Sequence, residues 1–550
     1  MSGQATSMTP IRTQVLIVGG GPVGLATAME LTFQGIDCVV VEPRVTVSAT
    51  RPRAKTTSAR TMELFRRWSF ADEIRKRAPI PVGWSSDIAF CTTATGQQIV
   101  RLRGVLGLDP ADHDLVAEPG QQVGQPVVEQ ALRDTLAGTP GCRLLLGQRV
   151  LSLAEHPGSV TGVIGPDGAR DTGDGPDDEA STTFEADYVV GADGARSLVR
   201  AAIGASYQGG NSGRPNLSVV FRSPGLADHL VGGPALHYWV LNPAAPGVVG
   251  PLDLADTWWA IATGRPDDDR ADPAALVRAL VGREVPVEVL GTDPWQARAL
   301  LVDRYRSARR FLVGDAAHQN PPWGGHGYNT GVGDAVNLGW KLAAVLRGWA
   351  PAALLESYEA ERRPVAEQTI AIAAANTAAL PTDLATAAAH DDPAAVRVLA
   401  EQVRAAKRLE FYCSGLVLGY AYGPGLGSQT TDGTDFAPRA IPGNRLPHRW
   451  VQPGLSLYDL LGPGFTLLGD PALGEPLLTV AESLGVPVTS VAEIGVPVDQ
   501  FLGRALVLVR PDQHVAWLGD RVTPAEAAEV WTAALAGFGP SDGRRATGGS

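Results

Sequence analysis

Residues 15–42 read VLIVGGGPVGLATAMELTFQGIDCVVVE. Val15 to Val18 form an apolar run with the length and β-branched content of a buried parallel strand. Gly19, Gly21 and Gly24 follow with G-x-G-x-x-G spacing. A helical pattern comes next, then a second apolar strand from Cys38 to Val41 that ends at Glu42. Each part has a physical task. Gly19 permits the tight turn, Gly21 admits a pyrophosphate close to the backbone, and Gly24 lets the helix pack against the strand. The helix N-terminus presents unpaired N–H groups and the positive end of a dipole. Glu42, 18 residues after Gly24, is placed to accept hydrogen bonds from an adenosine ribose. The unit predicts dinucleotide binding and leaves NAD and FAD both open.

Two later segments narrow the choice. Tyr188-Val-Val-Gly-Ala-Asp-Gly-Ala-Arg-Ser-Leu-Val-Arg200 is a strand, a turn and a helix start. Arg310-Phe-Leu-Val-Gly-Asp-Ala-Ala-His318 runs on into PPWGGHGYNTGVGDAVNLGWKLAAVLRG. In order and spacing, the three segments together resemble the group A flavoprotein monooxygenases, the para-hydroxybenzoate hydroxylase-like aromatic hydroxylases. The resemblance covers residues 12 to about 365 well and the C-terminal part more weakly. It implies that the first glycine motif holds the ADP part of FAD. It also implies that Gly191 to Gly194, with Asp193, serve both FAD and NADPH, and that Asp315 holds the ribityl chain.

Local chemistry agrees with that assignment. Asp315 follows the apolar run Phe311 to Val313 and precedes small residues. A carboxylate buried there needs donors, and sugar-like hydroxyls supply them. The same residue in that place also suits a helix N-cap, and the two roles are compatible. Gly324-Gly325-His326-Gly327 precedes a helix expected over 329–347, a second N-terminal anion site. By resemblance this segment lies along the pyrimidine edge of the flavin, where a helix dipole stabilises negative charge. His326 and Tyr328 stand where many relatives have other residues.

Arg44, Arg51 and Arg53 follow the second strand; guanidinium forks suit pyrophosphate, and at least one of the three reads as plain surface charge. The stretch from Pro52 to Leu64 is similar to the family segment beside the flavin. Gln125, ahead of a helix expected over 126–136, matches the flavin-contacting glutamine, with Gln121 and Gln122 as neighbouring candidates. Together the expected cofactor residues are Gly19, Gly21, Pro22, Val23, Gly24, Glu42, Pro43, Arg44, Arg53, Gln125, Asp193, Asp315, Pro322, Gly325, Gly327, Tyr328 and Asn329. No side chain is assigned as catalytic and none as a metal ligand. No Cys or His lies in a recognisable flavin-attachment motif, so FAD is expected to be held non-covalently.

The rest of the chain fits a cytoplasmic enzyme. Its 550 residues suggest two or three domains, and 44% hydrophobic content supports large cores. A net charge of −12, with no basic stripe, argues against nucleic acid and anionic membranes. No apolar stretch of about 18 residues reads as a membrane span. Met1 to Gln14 lacks an apolar signal core and reads as a frayed tail. Cys38, Cys91, Cys142 and Cys413 are scattered, without metal spacing, and read as reduced buried thiols.

The expected fold is α/β: a Rossmann-like FAD-binding domain, an antiparallel-sheet substrate domain and a C-terminal thioredoxin-like domain. The FAD domain is expected from 12–75, 126–205 and 301–365. The substrate domain takes 76–125 and 206–300, where His237-Tyr-Trp239 and Trp258-Trp259 alternate across a sheet and one face of aromatic residues can line a pocket. Gly165 to Thr183 reads as a solvated hairpin insertion. Residues 350 to about 412 read as packing helices punctuated by Pro364, Pro381 and Pro393, with a helix start at Asp391-Asp392-Pro393; a Gly/Pro-rich linker follows over 422–453, and 366–453 together read as helical region and linker. Residues 454–538 alternate strands and helices, and Gly503 to Trp517 resembles the end of the family's thioredoxin-like domain. That domain lacks C-x-x-C, so it reads as scaffold or homodimer contact. The tail from Pro540 to Ser550 reads as disordered.

The resemblance implies an FAD-dependent monooxygenase that hydroxylates an aromatic substrate, phenolic or polycyclic and allowing a polyketide type. NADPH or NADH reduces FAD, which takes up O₂ as a C4a-hydroperoxide and passes one oxygen to the ring. The protein's tasks are to exclude water and to orient the ring. No second glycine fingerprint for the nicotinamide is present, which fits its transient binding over the FAD surface. Two alternatives stand beside this reading: a flavin oxidase or dehydrogenase on the same scaffold, and a non-catalytic ligand-binding flavoprotein.

Overall fold

The computed structural model describes residues 10–168, 181–264, 272–379, 392–423 and 433–538. Pro381, Asp391, most of the Gly165–Thr183 insertion and the tail beyond Phe538 lie outside the described residues.

The fingerprint strand Ile11–Val18 sits inside a seven-stranded sheet. It pairs in parallel with Cys38–Glu42 on one side and Thr182–Gly191 on the other. Cys142–Leu146 extends the parallel edge beyond Cys38–Glu42, and Arg310–Leu312 pairs in parallel with Thr182–Gly191. Val15, Leu16 and Ile17 are fully buried, because a parallel strand has helices or sheet on both faces. Cys38 and Cys142, far apart in sequence, are register partners. The strands Gln148–Glu155 and Val160–Pro166 close this sheet as an antiparallel extension.

The second sheet has eight strands. Its order runs His318–Gln319, Glu288–Val302, Tyr207–Arg222, Thr257–Thr263, Gly247–Pro251, His237–Val240, Ile88–Cys91, Gln98–Leu102. Every pair is antiparallel except His237–Val240 with Ile88–Cys91. Two stretches fall differently from the expected division. Gln121–Gln122, expected with the substrate sheet, instead pairs with Thr56–Thr57 beside the first nucleotide-binding unit. His318–Gln319, expected on the cofactor side, adds an edge strand to the substrate sheet.

Alternation splits the aromatic pairs of this sheet. Trp258 and Tyr238 face a core shared with Val277, Leu280 and Val281 of the helix Pro273–Val281. Trp259 and Trp239 face the other way, into a core with Phe90, Trp323 and Phe411. That second face is roofed by the helix Pro393–Phe411, through Leu399, Ala400 and Val403. Asp392 caps this helix by accepting from Ala394 N, and Pro393 occupies its first turn, where the missing N–H costs nothing. Pro364 does not punctuate as expected: the helix Ser357–Ala378 runs through it.

The C-terminal sheet has the order Val488–Val491, Phe465–Leu468, Leu506–Val509, Val515–Gly519. The first two strands are parallel and the others antiparallel. Thr523 and Glu526 form a capping box at the start of the last helix, Pro524–Ala536. One core joins Trp531, Phe465 and Leu506 to Trp340 and Ala344 on the long helix Gly327–Leu346, so this unit is built onto the cofactor side. The stretch expected to be a linker is also anchored: Arg445 is fully buried and ion-paired with Glu63. Among the described residues no helix is long and apolar enough to cross a membrane.

Candidate active site

The three fingerprint glycines are constrained in three ways. Gly19 has φ +105°, and a Cβ there would lie 2.4 Å from Ala192 O. A Cβ on Gly24 would lie 2.0 Å from Gly19 O, so the strand and helix approach closely. Gly21 is the opposite case: a Cβ would meet nothing within 4 Å. The first two glycines serve the chain, and the third keeps a space open at the N-terminus of the helix Pro22–Phe33, with Pro22 and Val23 half-buried beside it. Val23 also packs under Gly314 and Gly331, tying this turn to the Asp315 loop and the long helix.

Glu42 is buried at the end of its strand. One oxygen accepts from Gly20 N at 2.7 Å, and the other from Arg44 N and Nε. Arg44 is half exposed and also pairs with Glu129 at 3.0 Å. Burial works against the Arg44 charge, and Glu42 and Glu129 outweigh it. Pro43 sits half-buried between Glu42 and Arg44. Arg51 is bound by Asp293 of the substrate sheet, so it is the arginine that serves as a surface tie. Arg53 is exposed, and its charge acts on Asp315. Of the three glutamines, Gln121 is spent on Ile80 O, Gln122 O and Arg75, and Gln122 accepts from Thr56. Gln125 opens the helix Gln125–Ala137 and anchors Ala54 O through its backbone N–H.

Asp193 is a cap: its carboxylate accepts from Leu198 N at 2.6 Å, Val199 N at 3.2 Å and the Ser197 hydroxyl. Asp315 caps nothing. It lies inside a single 3₁₀ turn whose N-cap is Val313. Among the described residues its carboxylate receives no hydrogen bond, while its carbonyl accepts from the Tyr207 hydroxyl. The side chain is open to solvent, yet it sits so deep that burial raises its pKa, with His318 and Arg53 pulling it back down. An exposed carboxylate that receives no hydrogen bond from the chain is an acceptor free for donors.

The loop carrying Asp315 is held by a group the sequence did not single out. Asp334, fully buried on the long helix, accepts from Gly314 N at 3.1 Å, His318 Nε2 at 2.7 Å and Arg362 Nε at 2.8 Å. His318 is therefore a positioning residue. Burial opposes its charge, but Asp334 outweighs it and raises its pKa.

Pro322, Gly324 and Gly325 form the turn before the long helix, with Gly324 at φ +90° and Gly325 at φ +70°. The Tyr328 hydroxyl shares a 2.6 Å hydrogen bond with Thr57. Asn329 accepts from Ser58 N and the Thr61 hydroxyl, and donates to Thr56 O and Gly325 O. Both side chains are consumed in stapling the helix start to residues 56–61. What they leave for a ligand is backbone: the N–H groups of Gly327, Tyr328 and Asn329 have no acceptor among the described residues. These are the orphan donors of a 20-residue helix. His326 instead lines a small cavity of about 40 Å³ together with Ser58, Arg60, Thr330, Arg362 and Tyr420. Burial lowers its pKa to about 4, so it is neutral near pH 7.

Beyond residues 53–57 lies the aromatic face of the eight-stranded sheet. Trp239 and Trp323 are 5.1 Å apart between ring centroids, Phe90 stacks on Trp239 at 5.8 Å, and His237 meets Trp259 edge-on at 5.2 Å. Lys55 reaches from the cofactor side to stand 4.3 Å over the Trp259 ring. Val23 of the glycine turn thus adjoins the Asp315 loop and the long helix, and Lys55 links the cofactor side to the aromatic wall.

The family profile for an FAD binding domain matches residues 12–373, and the profile for an aromatic-ring hydroxylase C-terminal domain matches residues 439–540. The chain belongs to the FAD-dependent aromatic-ring hydroxylases. It is 33% identical to a putative polyketide hydroxylase of Streptomyces halstedii, over 94% of this chain and 95% of that one. Two solved structures are also similar. The rebeccamycin biosynthetic enzyme RebC with reduced flavin superposes with a TM-score of 0.85 at 32% identity, covering 96% of this chain and all of that one. Aklavinone-11 hydroxylase in complex with FAD and aklavinone gives 0.77 at 29%, covering 96% and 99%. As a member of this family the chain is an enzyme, an FAD-dependent aromatic monooxygenase. The residues present fit the cofactor: the space over Gly21, the unpaired acceptor of Asp315 and the unpaired donors at Gly327 to Asn329 suit a pyrophosphate, a polyol and a flavin edge.

Proposed function

We propose that this hydroxylase acts on a polycyclic, phenol-type aromatic substrate of polyketide character, with NADPH or NADH and O₂ as co-substrates. The aromatic wall carries this reading: Trp239, Trp259, Trp323 and Phe90 pack on one side of the substrate sheet, under the helix Pro393–Phe411, which adds Phe411 from its own end. Such a wall binds flat apolar ring systems and excludes water from the space beside the cofactor residues. Gly21, Glu42, Arg44 and Arg53 hold the adenosine diphosphate end of FAD, Asp315 the ribityl hydroxyls, and the N–H groups at 327–329 the flavin edge, assisted by Gln125. FAD supplies the redox chemistry and the activation of oxygen; the chain supplies binding, orientation and dryness. The names of similar proteins support the substrate class, since they include a polyketide hydroxylase and an aklavinone hydroxylase. The free cysteines suit a reducing cytoplasm, and we assign the C-terminal unit to scaffolding or homodimer contact.

The test compares NADPH and NADH oxidation stimulated by a hydroxyanthraquinone with that stimulated by 2,4-dichlorophenol. The proposal expects the fused-ring compound to give the larger kcat/KM. A preference for the single ring would overturn the substrate class.

A further inference from the structure

Most buried charges in this protein are paired: Lys407 with Glu410, Lys341 with Glu361, Arg445 with Glu63. Lys55 is different. Among the described residues its ammonium has no carboxylate partner. Its one acceptor is the Arg53 carbonyl, at a long 3.5 Å. It stands over Trp259, inside the junction of the cofactor residues and the aromatic wall. The next residue, Thr56, is bonded through its carbonyl to Asn329, so the Lys55 backbone is fixed there. His237 is edge-on to the same Trp259 ring, and neither of its ring nitrogens has a partner. Lys55 is half-buried, and its ammonium lacks the counter-charge that those other charges have; an imidazole whose two nitrogens are buried without hydrogen bonds costs stability. Both deficits are removed by one ligand group, an acceptor carrying negative charge.

We infer that Lys55 anchors an anionic oxygen of the aromatic substrate, with neutral His237 as a second hydrogen-bond partner beside it. The substrate is therefore an acid, ionised at a carboxylate or at an acidic phenol. This rests on the proposed role of the aromatic wall as the substrate pocket. Among the described residues Lys55 is the one charged group that acts on His237, and the Arg53 carbonyl is the polar neighbour of the ammonium. His237 is held neutral, its pKa pushed down to about 3 by burial and by Lys55. Burial brings Lys55 down to about 8, so the ammonium is present near pH 7 and lost as pH rises through about 8.

Binding is measured on the oxidised holoenzyme, without turnover, by flavin absorbance and tryptophan quenching. The probes are 1-hydroxy-2-naphthoic acid against its methyl ester, and 2,4-dichloro-1-naphthol against its methyl ether. The first pair reports a carboxylate and the second an ionised phenol. At pH 7 the unsubstituted enzyme should prefer the anionic member of at least one pair by roughly tenfold to a hundredfold, the scale of a charge-assisted hydrogen bond. Lys55→Met should abolish that preference while still binding the neutral member; Lys55→Arg should keep much of it. The carboxylate preference should fade as pH rises through about 8, and stay flat in Lys55→Met. Equal affinities within both pairs, or a preference that survives in Lys55→Met, would overturn the inference. So would an unchanged preference with a shifted flavin midpoint potential, which would assign Lys55 to the flavin. Failure of every ring compound to bind would sink the pocket reading itself, whereas ring binding without charge preference would sink this inference alone.

Discussion

Arg510 donates both of its terminal nitrogens to the two oxygens of Glu361, each at 2.8 Å. Arg510 follows a strand of the C-terminal sheet, and Glu361 lies on the helix Ser357–Ala378. Lys341 of the long helix donates to the same carboxylate at 2.8 Å, and Asn337 at 2.7 Å. Asp512 completes the cluster through Arg510 and Trp340. The C-terminal unit is thus bolted, through buried charge, to the helix whose other end faces the cofactor residues.

Glu361→Gln should therefore destabilise the enzyme. It leaves Arg510 and Lys341 buried and short of charge, a loss on the order of 3–5 kcal/mol. Burial alone would raise the Glu361 carboxyl, but Arg510 and then Lys341 hold it at about 2. A folded pKa below the unfolded value gives stability that is present above about pH 4.3 and is lost as pH falls toward 2. Melting curves from pH 7 to pH 3 should show the gap between parent and variant narrowing in acid. A gap that stays constant to pH 3 would contradict the assignment.

Gly21→Val separates a ligand space from a packing space. Its Cβ would meet nothing in the chain, so the apo-protein should melt within a few degrees of the parent. FAD content should collapse, because the side chain fills the space assigned to the pyrophosphate. The control is Gly24→Ala, whose Cβ would strike Gly19 O and should lower apo stability itself. Normal FAD content in Gly21→Val would refute the cradle.

Asp315→Asn distinguishes a ligand acceptor from a cap. The carboxylate caps nothing, and its pKa is raised in the fold by burial. A raised carboxyl opposes folding once pH exceeds the unfolded value, so the apo-variant should melt no lower than the parent at pH 7. FAD affinity should fall by roughly tenfold to a hundredfold, corresponding to about 1.5–3 kcal/mol. A lowered apo melting temperature with unchanged FAD affinity would overturn the ribityl role.

Asp334→Asn should damage both properties together, since Asp334 joins Gly314, His318 and Arg362. The raised pKa of His318 implies a contribution that is full below its unfolded value, near pH 6.5, and is lost as pH rises through the folded one. The variant should lose that slope in melts between pH 6 and pH 9. An unaltered slope would mean that the His318–Asp334 contact does not govern the loop.

Much of this was legible in the sequence, for identifiable reasons. Gly19, Gly21 and Gly24 are readable because close approach leaves only glycine, and the apolar runs at Val15 and Phe311 because parallel strands are buried on both faces. The sequence starts the long helix at Asn329, two residues after its actual start at Gly327, since its N-cap, His326, carries no side-chain capping signal. The sequence marks Tyr328 and Asn329 as cofactor residues, and no spacing rule reveals that their side chains staple the helix to Thr57 and Ser58. Asp334, Arg362, Glu361 and Arg510 form long-range ion pairs and leave no local pattern. Lys55 lies in the stretch Pro52 to Leu64 that the sequence sets beside the flavin; only the fold places it over Trp259.

The most direct test of the whole account is turnover under ¹⁸O₂ with a polycyclic phenol and NADPH. The account predicts a product heavier than the substrate by one oxygen atom carrying the label, formed in step with NADPH consumed. A product without label, or NADPH consumed only to hydrogen peroxide at every substrate tried, would place the protein with the flavin oxidases and contradict it.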